Sequence, residues 1–232
     1  MLKVILTFFF LISNLLSINA HAMEISNKPV IVFDFGGVIA QANTAKMVDF
    51  LTTTLNVNKD ELSSALREMQ SIVAGGGSEE QFWQNYAFTK KIILPSDWFE
   101  KFGVIINSSI SPIPETIALV KALQRGGYQT AMLSDVTQYQ AEIIRKMGYY
   151  DLFDPVLLSY ETGVKKPNPE AFKILIEKLQ VPSSLLIFID DKIENVDAAI
   201  NQGIDAIHFL SPTQLKEEFE KRGIEFDKTC SH

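Results

Sequence analysis

Short apolar runs alternate with helix-periodic stretches along most of this 232-residue chain, and that alternation restricts the fold more than any other feature. The runs are Val30–Phe33, residues 128–133, Val156–Leu158, residues 185–189 and residues 206–209. Between them, Pro114-Glu115 opens a helix that sets Ile117, Val120 and Leu123 on one face and stops at Gly126-Gly127. A second helix is expected over 138–147, ending at Gly148. A third, opened by Pro169, turns Phe172, Leu175, Ile176 and Leu179 inward, and a fourth covers 195–202 and stops at Gly203. Strands joined by helical crossovers pair in parallel, and a parallel sheet needs apolar cover on both faces. The expected fold class is therefore α/β, with a three-layer core.

Four of these elements end in groups that are costly to bury. Asp34 closes the first run and opens onto Phe35-Gly36-Gly37-Val38; residues 128–133 stop at Ser134-Asp135; Lys166 follows a short loop after Val156–Leu158; residues 185–189 stop at Asp190-Asp191. Each has an ordinary reading. Asp34 could cap a turn, Ser134, Asp135 or Thr137 could cap the helix near 138, and a lysine beside Lys165 in a loop is unremarkable. Together, at the edge where α/β sheets gather ligands, they supply a nucleophile, donors to phosphate oxygens and a divalent-cation site. Adjacent acids at the end of a buried strand repel unless a cation lies between them. Asp191 is the first choice as direct ligand and Asp190 the second, with Asn195 orienting them.

Residues 41–111 interrupt the alternation. Met47, Phe50 and Leu51, then Leu62, Leu66 and Met69, fall at helical spacings, and Gly75-Gly76-Gly77-Ser78 reads as a helix connection. Phe82, Trp83, Tyr86, Phe88, Trp98, Phe99 and Phe102 make the second half aromatic. Most belong to a local core, and one or two are expected to line a substrate cleft.

Phe33-Asp34-Phe35-Gly36-Gly37-Val38, Lys166-Pro167-Asn168-Pro169-Glu170-Ala171-Phe172 and Ile187-Phe188-Ile189-Asp190-Asp191 resemble the haloacid dehalogenase superfamily, in the subfamily with a helical cap after the first motif. The likeness spans nearly all of the chain from Pro29 to about Phe209. It implies a Rossmann-like core over 23–40 and 112–232 with a cap over 41–111, and a Mg²⁺-dependent phosphohydrolase. In that reading Asp34 is the nucleophile, Ser134 and Lys166 hold the phosphate with Gly36, Gly37 and Asp135 around it, and Asp34, the Gly36 carbonyl, Asp190 and Asp191 hold the metal. The sequence departs from the family pattern in two places. Gly36 stands where most of its phosphatases carry a second aspartate, the general acid, whose loss typically forfeits ~10²- to 10⁴-fold. Asp135 stands where asparagine is usual, and is the substitute acid to consider. A degenerate phosphate-binding protein and a metal-independent dehalogenase-like hydrolase remain alternatives, the acidic pair arguing against the second.

Composition narrows the partners. A formal charge of −7 with no Lys/Arg cluster disfavours nucleic acid and suits a small-molecule phosphate ester, handled by a monomer or homodimer. Cys230 is the only cysteine, so an internal disulfide is excluded. Met1-Leu2-Lys3, the uncharged stretch 4–16 and Ala20-His21-Ala22 form a secretory-signal pattern over 1–22, which implies a periplasmic or secreted enzyme. The apolar centre is short of the ~20 residues that a stable membrane anchor needs. Translation from Met23 would instead leave the enzyme cytoplasmic.

Overall fold

The computed structural model describes residues 28–225. Its centre is a five-stranded, all-parallel sheet. In chain order the strands are β1 (Val30–Phe33), β4 (Thr130–Ser134), β5 (Val156–Leu158), β6 (Leu186–Asp190) and β7 (Asp205–His208), arranged β5-β4-β1-β6-β7. The strand period of two divides the apolar residues between faces. Ile31, Phe33, Met132, Ile187 and Ile189 pack on one side; Val30, Val32, Ala131, Leu133 and Phe188 pack on the other. Helix Pro169–Leu179 covers the second face through Phe172, whose ring meets Phe188 edge-on at 5.4 Å. Burying side chains of this size contributes about 1.5–3 kcal/mol each, so both faces hold the sheet.

Four helices lie between the first and second core strands: α1 (Thr44–Leu55), α2 (Lys59–Ala74), α3 (Glu79–Thr89) and α4 (Trp98–Ser109). They enclose their own cluster around Leu55, Leu62, Trp83, Trp98 and Phe102. Asn58 starts α2 with a reciprocal capping box, and Ser78 caps α3 by accepting from Gln81 N–H. The glycine-rich segment before Ser78 is thus the connection between two capped helices.

Several features differ from the sequence expectation. Residues 40–42 and 110–112, expected to adjoin or belong to a helical segment, form a small antiparallel sheet of β2 (Ala40–Ala42) and β3 (Ile110–Pro112), which ties the entry of the insertion to its exit. Strands of three residues carry no readable periodicity. A further helix, Pro212–Lys221, capped by Ser211, buries Leu215 and Phe219 and completes one face of the core. Strands β4 and β6 extend to include Ser134 and Asp190, and the helix expected at 195 starts at Ile193. The signal pattern over 1–22, Met23 and Cys230 lie outside the described residues. Among the described residues, no helix is long and apolar enough to cross a membrane.

Candidate active site

Asp34 is the first residue beyond the central strand, and its backbone N–H donates to Ile189 C=O at 2.9 Å, which ties it to β6. Ser134 and Asp190 end the strands on either side, so parallel pairing alone sets all three at one edge. Lys166 reaches the same point from its loop. Its ammonium donates to Asp34 Oδ1 at 2.6 Å, Asp190 Oδ2 at 2.7 Å and Leu133 C=O at 2.9 Å, which uses all three protons. Its own backbone N–H donates to Asp135 Oδ1 at 3.1 Å, so Asp135 helps to aim it.

The adjacent acids divide the work. Asp190 is fully buried and has both oxygens engaged: Asn195 Nδ2 donates to each at 3.0 Å, Lys192 N–H donates to Oδ1, and Lys166 takes Oδ2. Asp191 is the least enclosed of the acids, and its Oδ1, shielded from solvent, has no hydrogen-bond partner. Oxygens of Asp34, Asp190 and Asp191 lie within 4.8 Å of one another. An orphaned carboxylate oxygen beside two further carboxylates, with no thiol or imidazole, fits a hard divalent cation such as Mg²⁺. The Gly36 carbonyl is not among the acceptors that close its turn, since Phe35 and Ala40 fill that role.

The two glycines after Asp34 have different reasons to be glycine. Gly37 has φ +78°, and a Cβ there would stand 2.3 Å from Asp191 Oδ2, so a side chain would displace that carboxylate. At Gly36 a Cβ would meet only Asp34 Oδ2, at 4.0 Å, and the backbone is not left-handed. Nothing in the packing requires glycine at position 36.

The charges explain the titration of the cluster. Burial pushes the Asp34 carboxyl from its ordinary 3.8 up to about 6, with Asp190 adding to the rise and Lys166 opposing it. Burial works against the Lys166 charge as well, but Asp34, Asp190 and Asp135 hold the ammonium above its usual value. Burial, assisted by Asp190, raises Asp191, and burial also raises Asp135.

Of the expected site residues, Asp34, Gly36, Gly37, Ser134, Asp135, Lys166, Asp191 and Asn195 line one cavity of about 850 Å³, and Asp190 lies beneath it. The helix at 138 is capped by Thr137 rather than by Ser134 or Asp135. The aromatic residues expected at the cleft are absent from its lining. Most pack in the local core, as in Phe99 against Tyr139 at 4.5 Å and Trp98 against Phe102 at 5.4 Å, and Phe88 is exposed to solvent, while aliphatic Met47, Ile106 and Ile110 face the cavity. Two supporting residues were not foreseen. Ser159 Oγ accepts from Val136 N–H and donates to Val136 C=O, bracing the loop after Ser134. His208 Nε2 lies 3.0 Å from Asp191 C=O; its position at the end of a strand paired with Asp190 was the available signal.

Comparison with known proteins places the chain in a family. The sequence model of the haloacid dehalogenase-like hydrolases matches residues 28–203. A sesquiterpene phosphatase of Aspergillus oryzae is 25% identical over 192 residues, 76% of this chain and 87% of the relative. A glyceraldehyde 3-phosphate phosphatase of Methanothermobacter thermautotrophicus is 28% identical over 204 residues, 84% and 88% of the two chains. Among solved structures, a HAD family enzyme of Bacteroides thetaiotaomicron superposes with TM-score 0.70 at 20% identity, covering 83% of this chain and 98% of its own. The same enzyme in complex with magnesium and inorganic phosphate gives TM-score 0.65 at 19% identity, covering 78% and 93%.

Proposed function

The chain belongs to the haloacid dehalogenase-like hydrolases, and on that footing we propose that it is a Mg²⁺-dependent phosphohydrolase in which Asp34 is the nucleophile and residues 41–111 form the cap over the substrate. The carrying observation is the buried Asp34–Lys166–Asp190 triad beside the orphaned oxygen of Asp191. Relatives named as phosphatases support the reaction, and their differing substrates leave the alcohol open.

Asp34, the Gly36 carbonyl and Asp191 would hold the cation, with Asp190 positioning the set through Lys166 and Asn195. When bound, Mg²⁺ supplies charge that balances the acids and the phosphoryl oxygens. Asp34 has Oδ1 held by Lys166, which orients the carboxylate, keeps it available in ionised form and leaves Oδ2 to attack. Attack of that oxygen on phosphorus forms an Asp34–phosphorus bond as the phosphorus–oxygen bond to the alcohol breaks. The departing oxygen keeps the electron pair and takes a proton from Asp135 or water. Water then attacks phosphorus, releases inorganic phosphate and restores Asp34. Ser134 meets the phosphoryl oxygens, and the Lys166 ammonium, its three protons held by Asp34, Asp190 and Leu133, offsets their charge through the field alone. The test is a panel of phosphate esters assayed with the full chain, with and without Mg²⁺. Mg²⁺-dependent phosphate release supports the proposal; turnover unaffected by EDTA would favour the dehalogenase-like alternative.

A further inference from the structure

The cavity changes character away from the sheet edge. The charged residues that line it are Asp34, Asp135, Asp191 and Lys192, at or next to the strand ends, and Lys166, whose ammonium reaches them from its loop. Most of the remaining wall is apolar, with Met47, Ile106, Ile110, Ile113, Leu210 and the ring of Phe209 among its side chains. Its polar side chains, among them Gln41, Thr44 and Gln140, are uncharged. No arginine, histidine or further carboxylate lines it among the described residues. Leu210 is 69% exposed, an aliphatic group at the cavity that the chain itself leaves largely uncovered. A volume of about 850 Å³ is far more than a phosphate occupies and lies toward the upper end of the roughly 300–1,000 Å³ typical of small-molecule sites.

Resting on the phosphohydrolase reading, we infer that the alcohol carried by the substrate is apolar and uncharged, and that the aliphatic wall from Met47 to Leu210 selects it. A second charge on the alcohol would lose hydration in this part of the cavity and find no counter-charge. An aliphatic or aromatic body would instead exchange water for methyl and methylene groups on the wall. Selectivity then comes from burial on the cap side, and the strand-end charges recognise only the phosphate.

The test uses n-alkyl phosphates from methyl to octyl, whose leaving groups differ little in basicity, so chain length varies apolar burial alone. With the full chain and Mg²⁺, kcat/KM is expected to rise about fourfold per methylene over the first several carbons. Phosphoglycolate is expected to fall about tenfold or more below ethyl phosphate. The matching n-alkyl phosphonates, which are not hydrolysed, are titrated by calorimetry and should tighten along the same series. Leu210→Asp, at an exposed position, and Met47→Gln should flatten both slopes. Turnover with no dependence on chain length, or a preference for the carboxylated ester, would overturn the inference and leave the hydrolase standing. Tightening phosphonates without any turnover would support the apolar site and remove the hydrolase reading instead. Flat phosphonate affinities without turnover would remove both.

Discussion

The two ends of the cavity are built on opposite terms. At the sheet edge, Lys166 uses all three ammonium protons and Asp190 both carboxylate oxygens, so each group is specified by its neighbours. On the side of the helical insertion, Met47, Ile106 and Ile110 meet the cavity through aliphatic surface that another residue of like volume could supply. Removing one partner from the first end leaves a buried charge unpaired, whereas a volume-conserving exchange at the second costs little. Reaction and selectivity are therefore separable, and variants at the two ends should behave differently.

The largest expected effect is at Asp34. Asp34→Asn keeps the shape and loses the nucleophile, so turnover should fall by about 10⁴-fold or more. The same change removes the excess acid from a triad with two carboxylates and one ammonium. In EDTA at pH 8 it should raise unfolding free energy by about 1–3 kcal/mol. Lys166→Met does the reverse: Asp34 and Asp190 face each other without a counter-charge, at about 3–5 kcal/mol. Urea melts of the two variants, one more and one less stable than the parent, would break the comparison if both were neutral.

Next is Gly37→Ala, which needs a left-handed backbone and pushes Asp191 aside. It should raise the Mg²⁺ needed for half-maximal rate about tenfold or more, a shift that Gly36→Ala should not produce. Gly36→Asp has open space, and if the missing acid limits the rate it should improve alkyl phosphates about tenfold over aryl phosphates. Equal improvement of both classes would assign the proton to another residue, with Asp135→Asn the variant to examine.

A smaller effect concerns pH. Because the folded-state Asp34 carboxyl is raised from 3.8 to about 6, the folded protein holds that proton more tightly than the unfolded chain. Its contribution to stability is present below about pH 4 and is lost as pH rises through about 6. Metal-free melting temperature should carry this decline, and Asp34→Asn should remove it. The smallest effect is at the apolar end, where Ile106→Val should cost only about 0.5–1.5 kcal/mol.

The same contrast decided what could be read from sequence. Asp34, Ser134 and Asp190-Asp191 were legible because a polar group after an apolar run is costly to bury unless it is used, and parallel pairing brings such ends together. Which of the two acids is free was not certain, since it depends on Asn195 and Lys166 converging on Asp190 in three dimensions. The apolar wall of the cavity could not be distinguished from ordinary core, because Met47 and Ile106 carry the same helical periodicity as their buried neighbours. The aromatic residues misled for a related reason: their size favours packing with one another, as Phe50 does with Phe102 at 5.7 Å, over facing a cavity. The β2–β3 pair is too short for any pattern to register.

Covalent catalysis is tested most directly by looking for the phosphoryl group on Asp34. The full chain is mixed with Mg²⁺ and an aryl phosphate, quenched in acid within the first turnover, digested and examined by mass spectrometry, with borohydride reduction to fix the adduct. The expected result is a phosphoryl adduct on the peptide containing Asp34, converted by borohydride to homoserine at that position and absent from Asp34→Asn. Steady turnover with that peptide unmodified at every quench time, or undiminished turnover by Asp34→Asn, would contradict it.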